Sequence, residues 1–196
     1  MIKVGITGGI GSGKTTVCKV FELLGIPVFY SDEESKQLLY NDLGLSGKIT
    51  KAFGNAVIGD LGKVDRKKLG ILVFNDKEKL QQLNAILHPA VAIRFDEWVQ
   101  QNSHHKYILK EAAILFESGA NKQVDTVITV TAPIALKIKR AIHRDNLTSE
   151  QVEQRMKNQL SDEEKIKLSE FVIYNDEEQL IIPQVLKIHS LLTNKK

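Results

Sequence analysis

The chain has 196 residues, 42% hydrophobic and 26% charged, with a net charge of +3. Such a length accommodates one α/β domain with a sizeable insertion and argues against a second full domain. A charge this close to balance makes no case for a general nucleic-acid or membrane-surface protein, and no window approaches the roughly eighteen apolar residues of a membrane span.

In chain order, short β-branched runs alternate with helical patterns. Strands are expected at 3–7, 26–30, 107–110, 126–130 and 171–174. Between the first two, Val17, Val20, Phe21 and Leu24 recur with helical spacing, and Gly25 closes the helix. That β-α-β unit implies parallel strands with a right-handed crossover. From Glu33 to His105 no strand pattern stands out, whereas Ile49–Phe53, Leu80–Leu87 and Val91–Val99 carry helical spacing, so a mainly helical excursion is expected. A second helical stretch runs from Ala135 to Leu168, punctuated by capping-box signals at Thr148/Gln151 and Ser161/Glu164. The single cysteine, Cys18, lies beside the apolar stripe of the first helix and is expected to pack there. With no partner for a disulfide and no leader-like segment, the cytoplasm is the expected location.

The chemistry concentrates in GGIGSGKT at 8–15. Gly8, Gly13, Lys14 and Thr15 fit G-x-x-x-x-G-K-[ST], between an expected strand and an expected helix. Backbone N–H groups of such a loop form a nest for phosphate oxygens at a helix N-terminus. Lys14, read as standing on a solvated loop, would add a charge to the β- and γ-phosphates, and the Thr15 hydroxyl is a hard oxygen ligand for Mg²⁺. The expected class is a nucleoside-triphosphate binder. A GTP switch would need Asn-Lys-x-Asp, and Asn121 to Asp125 is one residue too long.

A phosphotransferase needs a base near the acceptor hydroxyl and cations around the transferring group. Asp32, just after the second strand, lies where ligands of parallel sheets sit and is the candidate base; a helix cap at Ser31 or Asp32 would leave the same sequence trace. Lys137, Arg140 and Arg144 share one helical face that could close onto a polyanion, although a solvated face would look alike.

These residues resemble the dephospho-CoA kinases through most of the chain. The resemblance rests on GITGGIGSGKTT at 5–16, Asp32, FG at 53–54, GKVDRKKL at 62–69, VF at 73–74, LHP at 87–89, ILFE at 114–117, RAIHRD at 140–145, Gln159 and Asn175. It implies an α/β fold with a P-loop NTPase-type core, a five-stranded parallel sheet flanked by helices, built from 1–32, 106–134 and 170–196. To this it adds a helical CoA-substrate domain at 33–105 and a helical lid at 135–169. It further implies transfer of the ATP γ-phosphoryl to the ribose 3′-hydroxyl of dephospho-CoA, with Mg²⁺. Gly9, Gly11, Ser12, Gly13, Lys14, Thr15, Thr16, Arg144 and Asn175 would bind ATP; Asp32, Lys14 and Arg140 would be catalytic; Asp32, Arg66, His88 and Glu117 would face the acceptor. The expected partner is the small-molecule substrate, and the expected state a monomer or weak homo-oligomer.

Three positions depart from the family pattern. Tyr30-Ser31-Asp32 stands in place of Asp-Ala-Asp, Thr15 in place of serine, and Ala112-Ala113 where a proline often precedes the L-F-E element. His104-His105 lacks partners at metal-ligand spacing, and Trp98 is expected in a core or interdomain contact. Rival readings are another small P-loop kinase, which would need a different acceptor site, and a non-catalytic nucleotide-binding module.

Overall fold

The computed structural model describes residues 1–59, 62–74 and 76–194; the last two positions of the expected core segment 170–196 lie outside the described residues. Five strands form one parallel sheet in the order β2-β3-β1-β4-β5: β1 (Ile2–Thr7), β2 (Val28–Tyr30), β3 (Tyr107–Glu111), β4 (Thr126–Thr131) and β5 (Phe171–Tyr174). All five lie where the β-branched runs place them, within two residues at each end. β1 is central, with Ile6 paired to Glu111 on one side and Ile128 on the other. Strands covered on both faces read as continuous apolar runs, and Val4, Ile6, Ile128, Val130 and Ile173 are fully buried.

The helix α1 (Lys14–Leu23) follows β1 and sends Val17, Cys18 and Phe21 into that core, where Val185, Ile188 and Leu192 of the last helix meet them. Gly25, at φ 79°, donates to Glu22 O at 2.9 Å and ends α1 as expected. Then come α2 (Ser31–Asn41), α3 (Leu43–Phe53), a 3₁₀ turn at Asn55–Val57, α4 (Arg66–Phe74) and α5 (Lys77–Gln101). The two spacings read around His88-Pro89 are one 25-residue helix. Pro89 sits inside it, where its missing N–H costs one helical bond.

After β3, a second 3₁₀ turn at Ala120–Gln123 leads into β4, and α6 (Ile134–Asp145), α7 (Ser149–Met156) and α8 (Asp162–Lys167) precede β5. Both expected capping boxes are present: Thr148 and Gln151 open α7, Ser161 and Glu164 open α8. The last helix, α9 (Ile181–Asn194), closes the chain's described part.

The chain divides into two compact units, Met1–Tyr30 with Val99–Lys196, and Ser31–Trp98. The sheet, α1 and helices α6 to α9 belong to the first. The second is helical and has its own core, including Leu39, Leu45, Ile49, Val57, Leu69, Leu83 and Leu87. Within it Trp98 stacks on Phe95 with ring centroids 6.3 Å apart. In the first unit, Cys18 is fully buried, and burial followed by the charge of Glu111 pushes its thiol pKa well up.

Candidate active site

The turn between β1 and α1 lies beyond the carboxyl end of the central strand, the position at which open parallel sheets hold ligands. Two glycines make its path possible. Gly11, at φ 76°, leaves room for the chain of α6: a Cβ there would meet Lys137 O at 2.1 Å. Gly13, at φ 92°, leaves room for Asn175, whose Nδ2 would stand 2.0 Å from an added Cβ. Gly13 is also the N-cap of α1 and supplies no side-chain cap, so the helix's first amides point out of a bare backbone end.

Lys14 is not solvated. Only 9% of it is exposed, and its Nζ turns back over the loop to donate to Gly8 O at 2.9 Å and Gly9 O at 3.4 Å. This corrects the expectation of an exposed loop side chain; a buried ammonium needs acceptors, and the loop's inward carbonyls provide them. Ser12 is buried, and its Oγ has no hydrogen-bond partner among the described residues. Thr15 and Thr16 are exposed in the first turn of α1.

Lys137, Arg140 and Arg144 of α6 each meet a carboxylate. Lys137, buried beside the loop, pairs with Asp162 Oδ1 at 2.8 Å, while Asp162 also accepts the Thr131 hydroxyl. Arg140 donates to Asn175 O and to Glu177 Oε1, both at 2.9 Å. Arg144 grips Asp145 through two bonds of 2.8 and 2.9 Å, which raise the arginine's pKa and hold the carboxyl below the usual range. A cavity of about 740 Å³ beside the loop is lined by Gly9, Lys137, Gln159, Asp162, Tyr174 and Asp176, among others.

Asn175 follows β5, donates Nδ2 to Ser12 O at 2.8 Å and bonds through its backbone to Thr131 O. The structure thus brings the loop, Arg140 and Asn175 together. Glu117 is drawn into the same unit: it accepts Leu160 N–H at 2.7 Å and pairs at 3.1 Å with Lys165, which has no exposed surface. The carboxylate that the resemblance puts on the acceptor side therefore has intramolecular partners here.

Asp32, Arg66 and His88 belong to the helical unit. Asp32 is the second residue of α2, exposed, inside the first turn and not at the cap position. Arg66 opens α4 and is exposed; His88 is half-buried in mid-α5 beside Pro89. That unit has its own groove of about 670 Å³, bordered by Lys48, Pro89 and Arg94. Spacing gave no sign of Lys165 and Asp162, because each finds its partner across the fold. The Ser161/Glu164 box, which starts α8, was the available signal for their region.

Mg²⁺ binds through one or two protein oxygens plus phosphates and water. Among the described residues no group of three or more His, Cys, Asp or Glu could hold a metal, and the exposed Thr15 hydroxyl is a hard donor of the right kind.

A parallel sheet whose central strand runs through this glycine loop into a helix opening with Lys-Thr defines a P-loop nucleotide-binding protein. The family model "Dephospho-CoA kinase" matches residues 2–180. A dephospho-CoA kinase of Bacteroides fragilis is 41% identical over 194 residues, covering 99% of this chain and 94% of that one. The solved dephospho-CoA kinase of Campylobacter jejuni is 30% identical with TM-score 0.70, covering 97% of this chain and 96% of that one. A solved Thermus thermophilus protein is 30% identical with TM-score 0.87 over 99% and 98%. The chain belongs to the dephospho-CoA kinase family, which catalyses the final step of coenzyme A synthesis using ATP.

Proposed function

We propose that the chain carries out phosphoryl transfer as follows. The amides from Gly9 to Thr16 and the Lys14 ammonium hold the phosphates of ATP, with Arg144 and Asn175 completing the nucleotide site. The ribose 3′-hydroxyl oxygen of dephospho-CoA attacks the γ-phosphorus, the bond from that phosphorus to the β–γ bridging oxygen breaks, and ADP leaves. The hydroxyl proton passes to Asp32. Arg140 offsets charge on the transferring group. Mg²⁺ held by Thr15 would neutralise phosphate charge.

The observation that supports this most is the loop itself: a buried lysine folded over inward carbonyls, an unpartnered buried Ser12 hydroxyl and an uncapped helix end. A polyanion entering there meets the Lys14 ammonium in charge-assisted hydrogen bonds. Arg66 and His88 contact the acceptor, 33–105 forms its domain, and 135–169 acts as the lid. Glu117 helps to shape the acceptor side. The reading also places the protein in the cytoplasm, as a monomer or weak homo-oligomer; among the described residues no helix is long and apolar enough to cross a membrane.

The test is Asp32→Asn at saturating ATP and dephospho-CoA. Loss of the base lowers turnover by roughly 10²–10⁴. Turnover within about threefold of wild type would remove Asp32 from the chemistry, since asparagine replaces aspartate at a helix start at little cost.

A further inference from the structure

The middle of the loop is held from outside by a side-chain amide. Gln159, half-buried in the turn between α7 and α8, accepts the N–H of Ile10 through Oε1 at 3.0 Å. Its Nε2 donates to Ala113 O at 3.5 Å. Ile10 lies in the middle of the glycine loop, and Ala113 follows β3, the strand next to β1. One amide thus bridges the loop's middle to the carboxyl edge of the sheet.

Its own position is fixed on both sides. Ala113 O also takes Lys165 Nζ at 3.0 Å, and that lysine pairs with Glu117. Glu117 in turn accepts the N–H of Leu160, the residue after Gln159. The buried Lys137–Asp162 pair ties α6 to the start of α8 three residues further on. Glycine-rich backbone is costly to order, because it has more conformations to lose than any other segment. A phosphate nest works only when its amides already converge, and an external bond that removes one loop conformer after another lowers the cost of binding.

We propose that Gln159 is a positioning residue of the phosphate loop. Through the Ile10 N–H it holds the glycines in the shape that receives the nucleotide, and it makes that shape depend on the 159–165 segment. The inference rests on the nucleotide-binding reading of the loop. Gln159 acts here through the Ile10 N–H, on the backbone of the loop. Losing it should therefore act on nucleotide binding and spare acceptor binding.

The experiment uses the full-length enzyme in steady state, with ATP and dephospho-CoA varied separately, together with thermal melting. Gln159→Ala is expected to raise KM for ATP about tenfold, the equivalent of one or two hydrogen bonds. KM for dephospho-CoA and kcat should stay within about threefold. Gln159→Met keeps the side chain's length and volume without its polar ends, and should reproduce the effect if the alanine variant folds poorly. Unchanged KM for ATP in a folded Gln159→Met enzyme, or equal losses toward both substrates, would overturn the proposal. Lys14→Ala run alongside separates the two claims. If it loses turnover while Gln159→Met behaves as wild type, the loop reading stands and only the positioning role falls. If Lys14→Ala turns over normally, the loop reading falls and takes this inference with it.

Discussion

Asn175 donates its side-chain amide to the carbonyl of Ser12 at 2.8 Å, joining residues 163 positions apart, and the space it occupies is the space a Cβ on Gly13 would need. The end of the last strand and the phosphate loop are therefore fitted to each other. Gly13→Ala must displace Asn175 and also hold alanine at φ 92°, a conformation that costs roughly 1–2 kcal/mol for a non-glycine residue. Because the strain falls on the loop, nucleotide binding should drop more than tenfold while melting falls by only a few degrees. Titration with a fluorescent ATP analogue, next to a melting curve, checks both.

The Arg140 guanidinium bonds Asn175 O and Glu177 at right spacing for a planar fork. Arg140→Ala should lower kcat more than it raises KM for the acceptor, since a cation aimed at the transferring group is worth most in the transition state. Arg140→Lys should not restore full activity, because a point charge cannot reproduce two directed contacts. Full activity in the lysine variant would show that charge alone suffices.

Glu117→Gln keeps an acceptor for Leu160 N–H but leaves the Lys165 ammonium, which has no exposed surface, without its carboxylate. Breaking a buried pair from one side costs about 3 kcal/mol, which for a chain of this size is roughly 6–12 °C of melting temperature. The alternative, a Glu117 that serves only the acceptor, predicts unchanged melting and a raised KM for dephospho-CoA.

Cys18 is fully buried with its thiol pKa raised, so the reactive thiolate is scarce. The native enzyme should resist alkylation by iodoacetamide at pH 8 and react at one site per chain once denatured. Mass spectrometry of the two samples decides it; labelling of the native form at the denatured rate would mean that α1 does not bury this face.

Much of the fold was legible because its signals are local. Short β-branched apolar runs marked the five strands, Gly25 the end of α1, and the Thr148 and Ser161 boxes the starts of α7 and α8. Pro89 marks the limit of that reading: it looks like a break between two helical spacings, yet α5 runs through it, because packing on both sides outweighs one lost hydrogen bond. The glycine loop announced its site through spacing alone. What sequence could not show is who answers each charge. Lys137, Arg140 and Arg144 read as one cationic face, but the fold brings Asp162 to Lys137 and Glu177 to Arg140 from elsewhere in the chain, while Arg144 turns to the Asp145 beside it. Lys14 was misread as solvated for the same reason: the carbonyls that receive it are backbone groups, invisible in a string of glycines.

The central claim is that this loop delivers the γ-phosphoryl of ATP to the 3′-hydroxyl of dephospho-CoA. The most direct measurement is ADP and product formation by the purified chain, with dephospho-CoA, adenosine, AMP and shikimate offered as acceptors in turn, and Lys14→Ala as the control. The account predicts coenzyme A and ADP in equal amounts from dephospho-CoA, a far lower kcat/KM for the other three acceptors, and no detectable turnover by the variant. A higher kcat/KM for any other acceptor, or turnover by Lys14→Ala at the wild-type rate, would contradict it.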